Sequence, residues 1–333
     1  MENSEMPPSQ LKGTLLKKTT AEEKTTETPL RGTLIEKTKI TSDIKHASSW
    51  ELDLNSGEVV KYGNLLTEGF EATANNTALH KDAETGATSF GQDAFAVNAG
   101  RSRFVVTDGM GGAGDQLATA FIAKFMADQV AVYGADLLFN ESLLSKTYQT
   151  AKEIFKTKFG REIRTSLLKS SLVAGAATTT VSCVEIEASK TDGAYTARVT
   201  VIGDSPVFVL DSDGTVIKSY GEDTQRGSTD SPLGFAIGIT RDGSPLIPQK
   251  GVIKNNAQIS DETISISAGQ RIVIGSDYFS DTYLRESKGD FSIGRVQDFI
   301  DLSPEVFGEK TKSMGKSDDA TLVVVDPATL FAT

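Results

Sequence analysis

The chain has 333 residues, 34 Lys or Arg against 45 Asp or Glu, and a formal net charge of -11 at pH 7. This acidic balance excludes a general nucleic-acid-binding protein, which needs a basic surface. The single cysteine excludes an intramolecular disulfide framework and favours a reducing compartment. Because the sequence has neither an apolar run long enough to cross a membrane nor a secretory signal in its first residues, we expect a cytoplasmic protein with a substantial core and no membrane partner.

Residues 1–46 are predicted to be a disordered tail rich in Thr, Lys and Glu. The tail has no aromatic residue, and its apolar residues follow neither a strand nor a helix period. It contains a short repeat, LKGTL at Leu11–Leu15 and LRGTL at Leu30–Leu34. The repeated L-[KR]-G-T-L pattern favours a duplicated docking motif for a partner protein, which would gain from bivalency, over drift in a low-complexity tail.

The next two segments are predicted to be an accessory segment and the main domain. Residues 47–77 carry Trp50 and scattered apolar residues that could form a hairpin, and no residue there indicates chemistry. The globular domain is predicted to span residues 78–328.

The first hairpin of that domain brings two aspartates face to face. Asp93 opens one apolar run and Asp108 closes the next, and the residues from Asn98 to Arg101 between them are typical of a turn. A register centred on this turn pairs Asp93 with Asp108. Two carboxylates at one sheet end repel each other unless a cation lies between them, so the pair predicts a divalent metal site.

Helices and then strands follow along the chain. Apolar periodicity predicts helices from Asp115 to about Tyr133 and over Glu141–Phe159, and strands over Ala177–Glu187, Tyr195–Ile202, Val207–Asp211 and Thr263–Ser267. The order of a hairpin, a helix pair and a strand meander indicates an α+β layered sandwich and not a βαβ repeat.

A second pair of acids is predicted near the C-terminus. Asp277 ends an apolar run, and Asp318 precedes the run that begins at Ala320. If these runs are antiparallel neighbours, Asp277 lies beside Asp318. Aspartates are common at strand ends because they form turns. Two strand pairs with the same arrangement favour a site over four unrelated turns.

Asp211 and Cys183 each resemble a catalytic residue of a different kind. Asp211 begins a DSDGT sequence after an apolar run, as in haloacid dehalogenase-like phosphatases, where the first aspartate is the nucleophile. The same residues are typical of a hairpin turn. Cys183 lies within a strand-like run and no arginine follows it at phosphate-loop spacing, which disfavours a cysteine-based phosphatase.

Five segments in order resemble the motifs of the metal-dependent type 2C Ser/Thr protein phosphatases, the PPM family, in its bacterial form. They are GQD ending at Asp93, VTDGMGG around Asp108, IGDS around Asp204, IGSD ending at Asp277, and SDDAT beginning at Ser317. The resemblance covers about 250 residues. It implies a four-layer αββα sandwich, with two central antiparallel sheets flanked by helices, and a site for two Mn²⁺ or Mg²⁺ ions at one end of the sheets.

The resemblance also implies a role for each acidic position. Asp108 would bridge both ions, the Gly109 carbonyl would bind one of them, and Asp277 and Asp318 would bind the other. Asp93 would hold metal-bound water. Asp281 would belong to a third metal site.

The sequence departs from the family pattern at several positions. Thr88 and Ser89 stand where the family usually has an arginine that clamps the substrate phosphate, and Lys81 is a candidate replacement. Tyr278 stands in place of a glycine, and Pro206 in place of an arginine. Met110 stands where eukaryotic relatives often have histidine, and the third-metal partner near Ala177 is not acidic. The departures around Ser89 and Tyr278 predict a raised KM for phosphate esters.

The motifs therefore predict a metal-dependent hydrolase of phosphoserine and phosphothreonine in phosphoproteins. The alternative from another class is a catalytically impaired pseudophosphatase that binds a phosphoprotein or a regulatory partner. A dehalogenase-like phosphatase that uses Asp211 is a third hypothesis.

Overall fold

The computed structural model of the chain describes residues 46–48, 57–77, 82, 85–87, 91–109, 115–164, 177–189, 193–221, 236–240, 243–248, 259–279, 296–314 and 318–332. All of them belong to one compact unit. No helix in these segments is both long enough and apolar enough to span a membrane.

The described strands, in chain order, are β1 His46–Ser48, β2 Val59–Asn64, β3 Phe70–Asn75, β4 Asp93–Asn98, β5 Arg103–Asp108, β6 Ala177–Thr179, β7 Val181–Ala188, β8 Ala194–Ile202, β9 Val207–Leu210, β10 Val216–Tyr220, β11 Ile237–Ile239, β12 Pro245–Leu246, β13 Ile259–Ser267, β14 Arg271–Gly275 and β15 Ala320–Val325. The described helices are α1 Leu65–Glu68, α2 Gln116–Tyr133, α3 Asp136–Phe139, α4 Glu141–Phe159, α5 Pro304–Ser313 and α6 Pro327–Leu330, with 3₁₀ turns at Ala99–Arg101 and Val296–Phe299. Residues 277–279 are also helical.

The strands form two six-stranded antiparallel sheets and one small sheet. Sheet I has the order β1-β4-β5-β7-β8-β13, and sheet II has the order β10-β9-β14-β15-β3-β2. The small sheet has the order β12-β11-β6, and its strand β6 bridges to Gly109 at the end of β5.

Three apolar layers join these elements into a four-layer sandwich. Between the sheets, alternate residues of each strand meet, such as Phe95 and Phe104 from sheet I and Ile274 from sheet II. The residues of opposite parity in β4, including Ala94, pack against α2 and α4. The outer face of sheet II packs against residues 277–279, the second 3₁₀ turn and α5. The predicted αββα architecture is therefore confirmed.

The two long helices begin and end where the sequence provides caps. Asp115 accepts a hydrogen bond from the Ala118 N–H at the start of α2, and Asn140 does the same for Leu143 at the start of α4. Such caps satisfy backbone donors that have no partner inside the helix. Gly160 ends α4 in the left-handed conformation, which glycine adopts without steric cost.

The described part of the predicted accessory segment lies within the sandwich. β2 pairs with β3, and β3 pairs with β15 at the centre of sheet II. All six residues of β3 are buried, including the polar Glu71, Thr73 and Asn75, so both faces of this strand are covered. The tail before His46 lies outside the described residues, so its disorder and docking role stay predictions.

Candidate functional site

The hairpin of β4 and β5 places Asp93 directly opposite Asp108. The pairing runs from Asn98 and Arg103 beside the 3₁₀ turn to Asp93 and Asp108 at the open end, which is the register predicted from the turn. Asp93 shares the parity of Phe95, and Asp108 shares the parity of Phe104. Since alternate residues of a strand point to the same face, both carboxylates lie on the inner face of sheet I, at its end.

Asp277 joins this pair from sheet II. It lies two residues after the end of β14, and its backbone N–H donates to Asp108 Oδ2 at 3.3 Å. β14 pairs with β15 as antiparallel neighbours, as the sequence predicts. The Ser276 N–H donates to the Thr321 carbonyl at 2.9 Å, and the Thr321 N–H donates to Ser276 Oγ at 3.1 Å. These bonds join the end of β14 to the start of β15, just after Asp318.

The carboxylates are close enough to change the protonation of one another. Burial raises the pKa of Asp93, and the charges of Asp319, Asp318 and Asp277 raise it further. Burial is also the largest cause that raises the pKa of Asp108, and the charges of Asp277, Asp93 and Asp318 raise it further. Burial and like charge both penalise an ionised carboxylate. In the folded chain these two carboxyl groups are therefore protonated more readily than free aspartates, and a bound cation would favour their ionised forms.

Asp319, which the sequence analysis did not assign, fixes the segment that leads into Asp93. Its Oδ2 accepts a hydrogen bond from the Gln92 N–H at 2.7 Å, and its Oδ1 accepts one from the Thr77 N–H at 2.7 Å. Gly91 has a φ of +94°, and a Cβ there would lie 2.5 Å from Asp319 Oδ2. Glycine is thus required before Asp93 both for its backbone conformation and for the close approach of Asp319.

Hydroxyl groups hold the backbone of Asp108. Its carbonyl accepts from Thr179 Oγ1 at 2.8 Å and from the Thr180 N–H at 2.8 Å, and its own N–H donates to Thr180 Oγ1 at 3.1 Å. Thr180 Oγ1 lies 2.6 Å from Ser205 Oγ. The threonine run before β7 was predicted only as a strand, because its role depends on a contact across 71 residues of chain.

Gly109 lies at the end of β5, where its N–H donates to the Gln92 carbonyl at 3.1 Å. A Cβ on Gly109 would lie 2.9 Å from Thr119 Cγ2 of α2, so the position is tightly packed. The predicted third-site residue Asp281 lies outside the described residues, as do Lys81, Thr88, Ser89 and Met110.

Tyr278 does not enter the site. Its side chain is fully buried in the layer outside sheet II, and its hydroxyl donates to the Thr311 carbonyl at 3.0 Å. The sequence does not indicate this orientation, because Tyr278 lies beyond the end of β14, where strand alternation no longer specifies the face on which a side chain lies. Pro206 supplies its carbonyl to the Gly275 N–H at 2.9 Å, a structural contact at the end of β14.

Asp211 lies far from these acids. It is exposed in the hairpin turn between β9 and β10, where its N–H donates to the Thr215 carbonyl. β9 runs antiparallel to β14, with Leu210 opposite Arg271 and Val207 opposite Ile274, so Asp211 and Asp277 lie at opposite ends of sheet II. This position contradicts the dehalogenase-like hypothesis. Cys183 is buried, and burial raises the pKa of its thiol, so it is no nucleophile.

The donor chemistry of the site fits a hard divalent cation. Mg²⁺ and Mn²⁺ prefer oxygen ligands, and this sheet end offers the four predicted carboxylates and the Gly109 carbonyl. Asp93 Oδ2 is buried and has no hydrogen-bond partner in the part of the chain that the structure describes. Within the same residues, no three Asp, Glu, His or Cys side chains form a complete metal-binding group.

The comparisons with known proteins give resemblances only at the level of solved structures. No protein-family profile and no curated protein matches the sequence. The PPM Ser/Thr phosphatase MsPP of Mycobacterium smegmatis, in complex with cacodylate, matches 77% of this chain and 97% of its own, with 20% identity and a TM-score of 0.39.

Two further matches are of the same kind. The serine/threonine phosphatase Stp1 of Staphylococcus aureus matches 80% of this chain and 98% of its own, with 13% identity and a TM-score of 0.38. The catalytic domain of the phosphatase PstP, in complex with two manganese ions, matches 80% and 98%, with 16% identity and a TM-score of 0.37. All three are serine/threonine phosphatases, the class whose motifs the sequence resembles. At these identities and TM-scores, the chemistry of this chain has to be inferred from its own site.

Proposed function

We propose that this chain is a metal-dependent phosphatase that hydrolyses phosphoserine and phosphothreonine in phosphoproteins. The observation that carries the proposal is the buried, face-to-face pair of Asp93 and Asp108, with Asp277 and Asp318 close enough to raise both pKa values. Repulsion between these carboxylates lowers the free energy of unfolding, and a bound divalent cation would offset that loss. The choice of phosphoserine and phosphothreonine rests on the motif resemblance.

The residues have distinct tasks in this proposal. Asp108 would bridge two Mn²⁺ or Mg²⁺ ions, with the Gly109 carbonyl, Asp277 and Asp318 as the other protein ligands. Asp93, with one buried oxygen free for water, would orient water at the centre. When bound, such ions supply a hydroxide-like water near neutral pH and neutralise charge on the phosphate oxygens.

The protein scaffold holds these groups in place from two sides. The Asp277 N–H donates to Asp108 Oδ2 and keeps that carboxylate turned toward sheet II. Asp319 holds the Gln92 N–H and so fixes the start of β4. Preorganised ligands lower the free-energy cost of assembling the site when the ions and substrate bind.

The test is hydrolysis of p-nitrophenyl phosphate and of a phosphothreonine peptide, with EDTA, Mg²⁺ or Mn²⁺. We expect Mn²⁺-dependent turnover in the wild type that falls by at least about 10³-fold in Asp108→Asn, because a bridging ligand is lost. Asp211→Asn is the matched control, since it removes one aspartate charge at the other end of sheet II. Turnover unchanged in Asp108→Asn would refute the site.

The pseudophosphatase is a distinct outcome of the same experiment. A folded wild type that binds a phosphothreonine peptide without turnover under any of these metals would establish it. The docking role of the N-terminal repeat and a cytoplasmic location are further parts of this proposal, and the described residues bear on neither.

A further inference from the structure

Tyr278 replaces the glycine that the resemblance leads one to expect directly after Asp277. Its ring is fully buried outside sheet II, with ring centroids 5.2 Å from Phe279 and 6.4 Å from Phe299. Phe279 also packs against Phe307 of α5. The residue after Asp277 is thus an anchor in a hydrophobic layer, where a glycine would have no side chain to bury.

The Tyr278 hydroxyl donates to the Thr311 carbonyl at 3.0 Å, and both residues are buried. Thr311 lies in the last turn of α5, where carbonyl groups have no partner inside the helix. Tyr278 supplies the missing donor. The chain that leaves α5 reaches Asp318 seven residues after Thr311. One hydrogen bond therefore joins the residue next to Asp277 to the helix that leads to Asp318.

A second bond ties the same point of α5 to the central sheet. Asn75 Nδ2 donates to Thr311 Oγ1 at 2.7 Å, and Asn75 lies opposite Ala320 where β3 pairs with β15. Thr311 is consequently held by Tyr278 on the side of Asp277 and by Asn75 on the side of Asp318. At one end of this bridge Tyr278 directly follows Asp277, and at the other end Asn75 lies opposite Ala320, two residues after Asp318.

We infer that Tyr278 is a positioning residue that sets the separation of Asp277 and Asp318 through its bond to Thr311. This inference rests on the proposed function, because it concerns the two carboxylates that would bind the same ion. The ring of Tyr278 packs in the hydrophobic layer, and its hydroxyl forms the hydrogen bond to Thr311 that positions the two carboxylates. A phenylalanine would keep the first and lose the second, so the two contributions can be separated.

The experiment measures Mn²⁺ uptake by the metal-free full-length chain, using calorimetry and the electron paramagnetic resonance of free Mn²⁺. Tyr278→Phe is compared with Tyr148→Phe, which removes another buried hydroxyl, from α4 in the layer outside sheet I. We expect Tyr278→Phe to bind Mn²⁺ roughly tenfold more weakly, as is typical when a group that orients a metal ligand is lost. Tyr148→Phe should bind as the wild type does.

A turnover assay in the same variants gives a second measure of metal affinity. The Mn²⁺ concentration for half-maximal turnover of p-nitrophenyl phosphate should rise in Tyr278→Phe, while kcat at saturating Mn²⁺ recovers to near the wild-type value. Because a partly unfolded variant would show the same shift, denaturant unfolding in EDTA is the control, and Tyr278→Phe should be fully folded there.

The outcomes distinguish this inference from the proposed function. Wild-type uptake of Mn²⁺ with equal affinity in Tyr278→Phe overturns the inference alone. Equal weakening in both tyrosine variants overturns it as well, because loss of any buried hydroxyl would then suffice. A wild-type chain that takes up no Mn²⁺ overturns the proposed function together with the inference.

Discussion

Asp108 is held by several hydrogen bonds at the centre of the candidate site. Its backbone is held by Thr179 and Thr180, and its carboxylate accepts from the Asp277 N–H. Its pKa is nevertheless raised, because burial and the charges of Asp277 and Asp93 outweigh that one hydrogen bond. A buried carboxyl group whose pKa is raised by neighbouring carboxylates is a candidate functional residue, since structural aspartates are usually paired.

This charge state predicts that Asp108→Asn stabilises the metal-free protein. A carboxyl group whose pKa is raised by folding costs no stability below its unfolded pKa of about 4, and its cost grows as the pH rises to the folded value. In EDTA at pH 8 we expect the free energy of unfolding of Asp108→Asn to exceed that of the wild type by about 1 kcal/mol or more.

Urea denaturation at pH 5 and pH 8, both in EDTA, measures this difference. The stability difference in favour of Asp108→Asn should be larger at pH 8 than at pH 5. With saturating Mn²⁺ the wild type should instead be the more stable of the two proteins. A variant less stable than the wild type at pH 8 in EDTA would show that the carboxylate is favourably paired without metal.

At the scale of elements, the residues that lead into β4 are held by hydrogen bonds and close contacts from neighbouring elements. Gln92 is bonded to Asp319 at the start of β15, and Gly91 faces Asn76 after β3 as well as Asp319. Lys124 of α2 is buried, and its Nζ donates to the Gly91 carbonyl at 3.1 Å from the other side. The approach to Asp93 thus depends on α2 and on two strands of sheet II.

Gly91→Ala should therefore disturb both stability and the site. An added Cβ would lie 2.5 Å from Asp319 Oδ2 and 2.8 Å from Asn76 Oδ1, in addition to the strain of a positive φ. Gly160→Ala is the matched control, because Gly160 has a φ of +71° and nothing lies within 4 Å of its added Cβ.

We expect Gly160→Ala to cost about 1 kcal/mol of unfolding free energy from backbone strain alone, and Gly91→Ala to cost about 2 kcal/mol more. Denaturant unfolding measures the cost, and Mn²⁺ titration should show weaker uptake in Gly91→Ala only. Equal costs in the two variants would mean that Asp319 moves aside without loss.

At the scale of the whole molecule, a buried ion network ties the helical layer to the segments around the site. Arg161, which follows α4, donates to Asp82 and to Asp115, the N-cap of α2. The side chains of both aspartates are at most 3% exposed. Burial is the largest single influence on the pKa of Asp82 and raises it, but the hydrogen bonds from Arg161 and Thr85, together with the charge of Arg161, outweigh burial and lower the pKa. The pKa of Asp115 is lowered in the same way, by Arg161 and by backbone N–H donors.

Arg161→Met should strongly destabilise the fold, because it leaves two buried carboxylates without their common partner. The loss expected for breaking a buried pair is about 3 kcal/mol or more at pH 7. A carboxyl group with a lowered pKa contributes its full stability above the unfolded pKa and loses it as the pH falls toward the folded pKa, so this loss should shrink as the pH falls below about 4.

Lys156→Met is the control, since Lys156 pairs with Glu162 on the surface, where both side chains are more than 60% exposed. Denaturant unfolding of that variant should match the wild type. If Arg161→Met is as stable as Lys156→Met at pH 7, the network contributes nothing to the fold.

Much of the site could be predicted from the sequence because its acids stand at strand ends beside short turns. The 93–108 pairing follows from one local turn, and that register is confirmed. The contacts of Asp319, Thr180 and Tyr278 could not be predicted, since each joins residues 33 to 242 positions apart. Local patterns contain no information about such distant partners.

The sequence by itself determined the layered α+β class, the face-to-face aspartates and the neighbouring strands that bring Asp277 toward Asp318. Periodicity and turn residues are enough for these, because they specify which face a side chain occupies and which strands are adjacent. Only the tertiary structure decided that Tyr278 turns away from the site, that Asp211 lies at the wrong end of sheet II, and that β2 and β3 belong to the core. Each of these depends on which layer packs against which, and packing is a property of the whole sandwich.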